Sequence, residues 1–461
     1  MDIQLMEEIL KKALSNGGEY ADIFFEQRKN TSIQLEDEKI EKIIEGSFSG
    51  IGIRLIQDKK TAYAYSNDFS KKALMELAST VSKAASGEQK VSVINMKKRN
   101  PEIKFIIKRI PDTVSITTKV DLVKTGNDVA RKFDRKIKQA TIIYRDTIQK
   151  INIFTSEGFY TEDERIYTIG VVQVIASDNG IIQTGYEPVG GLIGFELFDE
   201  NPMEKIALKA AKRAVMMLAA KRAKGGRMPV VISSEAGGTM IHEAIGHGLE
   251  ADLAQQGLSV YSGKIGTPIA SKLITVIDDG TIPNKRGSFS FDDEGTPSKS
   301  NILVQDGILL GYMYDKYTAM IDGVSSTGNG RRESYEYKPM PRMTNTFIAP
   351  GRSTPEEIIR PVKNGLFVKK MGGGQVNTVT GDFVFEVQEG YTIENGAIGD
   401  PVRGATLIGN GPEVLKAIDA IGSDLGFSIG TCGKDSQGVP VSDGMPTLRI
   451  PELVIGGEVG N

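Results

Sequence analysis

The sequence predicts an α+β protein of two domains. An N-terminal mixed domain, residues 1–224, has antiparallel strands and flanking helices. A C-terminal domain, residues 225–461, is mostly antiparallel β and carries one chemically distinctive helix. Three observations lead there. Period-2 alternation recurs along both halves, a few well-separated segments show helical spacing, and the run Ala223-Lys224-Gly225-Gly226-Arg227-Met228-Pro229 breaks periodicity with glycine, charge and proline.

Taken in order, Ile3, Met6, Ile9, Leu10 and Ala13 sit at helical spacing, and Gly17-Gly18 follows as a stop. The alternating sets Ala21, Ile23, Phe25, then Ile33, Leu35, then Ile51, Ile53, Leu55 predict strands of a half-buried antiparallel sheet. Further helices are expected from about Thr118 to Phe133 and from Pro202 to about Ala220, the latter with Asn201 as cap and Pro202 at its first position. Asn179-Gly180 marks a hairpin. Beyond the break, Val230-Val231-Ile232 reads as a short buried strand leading through Ser233-Ser234 into a helix. Hairpin signals at Asp279-Gly280, Asp306-Gly307 and Asn395-Gly396 then separate β-type runs such as Phe383-Val384-Phe385.

Composition narrows the function. With 56 basic and 59 acidic side chains the net charge is −3, so no global field collects phosphate backbones and nucleic acid is not expected as a partner. The start Met1-Asp2-Ile3-Gln4 has no leader pattern, and no stretch has the length of a membrane span, which predicts a soluble cytoplasmic protein. One cysteine excludes an intrachain disulfide.

The chemistry concentrates in Ile241-His242-Glu243-Ala244-Ile245-Gly246-His247-Gly248-Leu249-Glu250, which holds both histidines of the chain. It is like the zinc-hydrolase helix signature with one residue too many. Histidines five apart lie about 140° from each other on a regular helix, against about 40° for a spacing of four. One ion cannot easily reach both unless the helix carries a π-bulge or ends between them, and Gly246 and Gly248 make such a departure inexpensive. A distorted or terminated helix is therefore predicted here. Catalytic zinc takes three protein ligands, so a third is needed, and Glu250, Asp252 and Cys432 are candidates. Cys432 is the sole thiol, in Thr431-Cys432-Gly433-Lys434, where Lys434 would favour the thiolate. Thiolate with imidazole favours zinc over harder cations. Glu243, next to a ligand, is placed to take a proton from a metal-activated water and pass it to a leaving amine.

Several long motifs extend this reading. HEAIGHGLEAD at His242–Asp252 is followed by DDEGTP at Asp292–Pro297, GNGRRESYEYKPMPRMTNTFI at Gly328–Ile348, GGGQVNTVTGDFVF at Gly372–Phe385 and CGK at Cys432–Lys434. In these, and from Tyr20-Ala21-Asp22-Ile23 to Pro446-Thr447-Leu448, the chain resembles the TldD branch of the TldD/PmbA (TldE) zinc metalloprotease family, formerly labelled modulators of DNA gyrase. The resemblance implies zinc held by His242, His247 and Cys432 with Glu243 as catalytic base, and so favours the thiol over Glu250. It also implies cleavage of flexible or unfolded peptide, including maturation of peptide precursors. The implied partner is a companion TldE/PmbA-like subunit, with a homodimer as the other arrangement.

Elsewhere, Gly328-Asn329-Gly330-Arg331-Arg332 with Tyr335, Tyr337 and Asn345 either offers groups for substrate carbonyls or a carboxylate, Arg331, Arg332, Tyr335 and Asn345 being the candidates, or is a loop whose arginines pair with structural acids. Asp292-Asp293-Glu294 lacks the spaced ligands of a calcium loop and reads as a polar turn or a contact to a peptide amine. Gly372-Gly373-Gly374-Gln375 and Gly409-Asn410-Gly411-Pro412 lack the ending of a phosphate loop and read as turns. Against the peptidase stand a zinc amidase acting on a non-peptide substrate and a non-catalytic zinc-containing module that modulates a partner protein. A thiol mechanism with Cys432 as nucleophile would survive chelators.

Overall fold

A computed structural model describes residues 2–87 and 95–458, and its class is α+β. The strand Tyr20–Glu36 lies at the middle of the first sheet, antiparallel to Lys39–Gln57 on one side and Ile137–Thr155 on the other. Lys60–Ser66 and Phe159–Asp178 extend the sheet outward. Along its outer edge Phe159–Asp178 carries two shorter strands, Lys97–Lys98 near one end and Ile181–Leu192 along the rest. The turn to Ile181 is made by Asn179 and Gly180, both at positive φ, as a tight hairpin requires.

Helices cover one face of this sheet. Ile3–Ala13, capped by the Asp2 side chain, buries Met6, Ile9 and Leu10 with Leu74 and Ala78 of Lys71–Ser82 against Ile23, Ile53 and Leu55. Ile116–Phe133 starts earlier than the spacing suggested, because the Ser115 hydroxyl accepts from the Thr118 N–H and fixes the first turn. Met203–Ala219 begins after Pro202, which occupies the cap position instead of the first helical one, while Asn201 turns back to Leu197. These two helices pack Val123, Met203, Ile206 and Ala210 onto Ile142, Tyr144 and Val174.

The other face departs from the half-buried expectation. Asp22, Phe24 and Glu26 are as buried as Ala21 and Ile23, because the second domain lies across them. Phe24, Ile151 and Ile153 enclose Tyr335 from the far half of the chain, and Gly50 is open enough for that ring only because it has no Cβ, which would sit 2.1 Å from it.

In the second domain Gly226–Ile232 runs between Asn364–Val376, parallel, and Leu448–Gly456, antiparallel, within an eight-stranded sheet. The chain joins this sheet at Lys221–Arg222, which pairs with Val402 and Arg403. A six-stranded sheet ends in Asn345–Ile348, Gln437–Met445 and finally Gly426–Lys434. Between the sheets lies a core that includes Ile232, Ile241, Ile245, Val276, Phe385 and Val441. Asp306-Gly307 and Asn395-Gly396 make tight hairpins. Asp279-Gly280 does not: Asp279 pairs with Ser300, and the intervening loop carries the acidic motif. Gly372–Gly374 lies within the strand Asn364–Val376, where the pairing register shifts between Met371 and Gly374, and is not a turn. Gly409-Asn410-Gly411-Pro412 passes from a strand into the helix Gly411–Ala417, with Asn410 at the cap position but its side-chain amide donating to Thr380 O and Asp382 Oδ1. Among the described residues no helix is long and apolar enough to cross a membrane.

Candidate metal centre

After Gly226–Ile232 the chain passes Ser233, whose hydroxyl accepts from Glu235 N–H, and enters a compound helix. Thr239–Ile241 is α-helical, His242–Gly246 is a π-turn and His247–Leu249 is 3₁₀. The His247 N–H donates to the His242 carbonyl, an i→i+5 bond that brings residues five apart onto one side. The expected distortion is therefore present. Its glycine has a different reason: Gly246 has ordinary helical φ (−53°), but a Cβ there would lie 2.2 Å from Met343 Sδ. Gly248 likewise lets Tyr261 approach.

The His242 and His247 rings sit edge to face with centroids 4.8 Å apart. Cys432, on the terminal strand Gly426–Lys434, brings its Sγ to 3.5 Å from His247 Nε2. The three donor atoms all lie within 4.8 Å of one another. Carboxylates fix both rings. Asp443 Oδ1 is 2.7 Å from His242 Nδ1 and Glu250 Oε2 is 3.0 Å from His247 Nδ1, which turns each Nε2 inward. Glu250 is thus fully buried behind His247. Burial raises its pKa, but Lys434 and His247 outweigh that and hold it at about 2. Lys434 is not beside the thiol to favour its ionisation. Its Nζ pairs with Asp252 at 2.7 Å and Glu250 at 3.1 Å. Burial also pushes the Cys432 thiol up, and hydrogen bonds from His242 and His247 bring it down to about 6. A thiolate facing two imidazoles held by carboxylates is a donor set suited to a borderline-soft cation such as zinc.

His242 and Glu243 border a cleft of about 870 Å³. Glu243 is half-buried and one residue from a candidate ligand. Three of the strand segments in its walls bear on substrate. One is Ile181–Leu192, through Thr184, Tyr186 and Pro188, the outer strand of the first sheet. The second is the segment 370–373, beyond the last residue paired to Gly226–Ile232. The third is Ser428 to Thr431 of the terminal strand.

The other candidate side chains are not brought to this cleft. Asn345 is fully buried, donating to Asp279 O at 2.6 Å and Ser288 Oγ at 2.8 Å while accepting from Gly287 N–H at 3.0 Å. Arg332 lies over the Phe24 ring at 4.3 Å and donates to Asp293 O at 2.9 Å. Tyr335 is the interdomain anchor described above, and its N–H donates to Glu26. These three hold structure together. Arg331 donates to the Met343 and Pro440 carbonyls and borders a separate cavity. The Asp292-Asp293-Glu294 motif is buried. Asp292 accepts from Glu294, Thr296 and Gly330 N–H groups, while Asp293 pairs with Arg165 and Glu294 with Arg54, each at 2.7 Å. It is a turn, as read, but one that locks the two domains and not a contact for a peptide amine. Asp443 was not legible: it lies 201 residues from His242, and Ser442-Asp443-Gly444 looks like any polar turn.

An α+β fold with convergent imidazoles and a thiol beside a cleft defines a candidate metalloenzyme. Comparisons with known proteins place it. The chain matches in succession PmbA/TldA metallopeptidase domain 1 at residues 21–85, the central domain at 109–218 and the C-terminal domain at 225–457. It is 39% identical over 451 residues to the metalloprotease TldD homolog of Haemophilus influenzae, covering 95% of this chain and 93% of that one. It is 28% identical to the zinc metalloprotease TldD homolog of Saccharolobus solfataricus, covering 98% and 100%. Its fold is similar to that of a Thermotoga maritima protein labelled a modulator of a DNA gyrase (TM-score 0.81, 21% identity, 98% and 99% covered) and of TldE from Thermococcus kodakarensis (TM-score 0.75, 19% identity, 98% and 99% covered). The chain belongs to the PmbA/TldA metallopeptidase family, among the TldD-type metalloproteases.

Proposed function

We propose that this protein is a zinc-dependent peptidase that cleaves extended or unfolded peptide. The observation that carries the reading is the convergence of His242, His247 and Cys432 within 4.8 Å, with both ring Nδ1 atoms tied to carboxylates. These three residues would hold the ion. When bound, zinc supplies Lewis acidity that polarises a peptide carbonyl and acidifies a water. Glu243, facing the same cleft, takes the proton on its carboxylate and delivers it to the leaving nitrogen. Asp443 and Glu250 keep the Nδ1 protons in place, so each Nε2 presents its lone pair inward. Three protein donors leave a position for chemistry, which a closed structural site would not need.

The walls support the substrate class. Strand edges bind peptides through main-chain hydrogen bonds, which select extension over side-chain identity. Among the described residues Ile181–Leu192 pairs on one side only, and the segment 370–373 has outrun its parallel partner. The likeness to TldE supports a companion subunit of that type as partner, with a homodimer as the other assembly. We assign residues 1–224 to the N-terminal domain, whose strand Ile181–Leu192 forms one wall, and residues 225–461 to the metal-bearing domain.

One experiment tests both parts. Wild type and Glu243→Gln are given a single polypeptide in a stable and a destabilised form, and products are read by mass spectrometry with and without chelator. Expected are chelator-sensitive cleavage of the destabilised form and, in Glu243→Gln, full metal content with turnover lower by roughly two to four orders of magnitude. Wild-type turnover in that variant would remove Glu243 from the mechanism, and equal cleavage of both forms would remove the unfolded-substrate reading.

A further inference from the structure

A second cavity, of about 230 Å³, lies between the two domains, and Thr431 borders both it and the catalytic cleft. Six arginines and three acidic residues line it. Arg28, Arg165 and Arg332 are paired with Glu26, Asp163 and Asp293, and Asp22 respectively. Arg145, Arg286 and Arg331 have no carboxylate within ion-pair distance among the described residues. The register explains why. Arg145, Thr147 and Gln149 alternate along one face of Ile137–Thr155, and opposite Arg145 stand Ser32 and Ile169, neither an acid. Arg286, on the loop from the other domain, spends one guanidinium nitrogen on Gly430 O and Thr431 Oγ1, and its Nε is buried with no partner. Arg331 is fully buried with its terminal nitrogens on backbone carbonyls, so it adds charge without being neutralised.

The electrostatics agree. Burial and then Arg145 push the Arg286 pKa down, so the two guanidiniums repel across the cavity. Burial pushes Arg331 down to about 10 despite the nearby Tyr167 and Asp293. Tyr186 on the catalytic cleft is raised by burial and pulled back by both Arg145 and Arg286, so their field reaches that cleft.

The charges of Arg286, partly buried, and Arg331, buried, lack a carboxylate partner, which is costly unless an anion meets them, while Arg145 is exposed and free to reach such an anion; the planar guanidinium fork matches a carboxylate. We propose that Arg145 and Arg286, supported by the charge of Arg331, form a subsite for a carboxylate of the bound peptide. The carboxylate belongs to the C-terminus or to an acidic side chain, reached by chain that leaves the cleft across Thr431. The inference rests on the peptidase reading for its substrate class but not on turnover.

The test is equilibrium binding to Glu243→Gln protein, measured by fluorescence anisotropy. Three fluorescein-labelled peptides of one sequence are used: neutral with an amidated end, neutral with a free acid end, and amidated with glutamate as last residue. At least one carboxylate-bearing peptide should bind roughly 10- to 100-fold more tightly than the neutral amide. Which one does identifies the source of the carboxylate. Arg145→Gln, an exposed position where folding is not at risk, should abolish that preference while leaving the neutral peptide's affinity unchanged, and Arg145→Lys should restore part of it. Arg286→Gln should act in the same direction. Equal affinities for all three peptides would overturn the proposal. A preference that survives both Arg145→Gln and Arg286→Gln would also overturn it. Loss of turnover in the wild type would bear on the peptidase reading alone, since this experiment measures no cleavage.

Discussion

The candidate metal centre and the interdomain acidic cluster are both dense in ionisable side chains, both buried and both conspicuous in the sequence, yet their groups are committed in opposite ways. At Asp292-Asp293-Glu294 each carboxylate accepts from an arginine or from backbone N–H groups, and none of the three borders the cleft beside Glu243. At His242, His247 and Cys432 the carboxylates of Asp443 and Glu250 take only the outer ring nitrogens, leaving the inner atoms to face one another beside the cleft. The difference teaches that a charged motif is judged by which of its atoms remain uncommitted after folding. Saturated groups fasten the domains, and uncommitted ones are available for chemistry.

The sharpest way to break the comparison is to remove one partner from the saturated cluster. Arg54 is 1% exposed and pairs with Asp22 and Glu294. Arg54→Ala leaves two buried carboxylates short of a counter-charge, which should cost about 3–5 kcal/mol in denaturant unfolding. Metal content of the folded fraction should be unchanged, because no ligand is touched. A metal-depleted but equally stable variant would reverse the roles assigned to the two clusters.

A smaller effect is expected at the ring-holding carboxylates. Asp443→Ala frees the His242 ring and lowers its basicity, and should weaken metal binding by roughly 10- to 100-fold, with little change in fold. Competition with a chromophoric chelator measures this. Unaltered affinity would mean that Asp443 does not orient the ligand.

The smallest effect concerns pH. Asp315, buried beside Glu294, has its pKa raised to about 7 by burial and then by that carboxylate. Its folded pKa exceeds the unfolded value of 3.8, so the folded state holds the extra proton between the two values. Stability from this group falls as pH rises through that window and is level above about 7. Asp315→Asn keeps an acceptor for Thr318 and should flatten the decline of the melting temperature, by roughly a few degrees across the window. A parallel decline in variant and wild type would remove Asp315 as its cause.

Much of this was legible in the sequence, for identifiable reasons. The helix with the candidate ligands was conspicuous because both histidines fall within it, and a spacing of five, hard to reconcile with one ion on a regular helix, called for either a π-bulge or a helix end between them; the chain takes the π-turn. The long strands and their helices were readable from periodicity because one face of the first sheet packs on helices. The opposite face was misread as solvated because Asp22, Glu26 and Arg54 stand among its buried residues, and the groups that bury them, Glu294 and Tyr335 among them, lie hundreds of residues away. The same distance hid Asp443. Asp279-Gly280 misled because a turn dipeptide can open a long loop as well as a tight hairpin, and Gly372–Gly374 because glycine can relax a strand's register without ending it.

The central claim is that His242, His247 and Cys432 together hold one zinc ion. X-ray absorption at the zinc edge, on protein purified without added metal chelator, tests it most directly, with Cys432→Ser as the paired sample. The account predicts about one zinc per chain with two imidazole nitrogens near 2.0–2.1 Å and one sulfur at about 2.3 Å, the sulfur disappearing in Cys432→Ser. A spectrum without sulfur in the wild type, or one unchanged by the substitution, would contradict it.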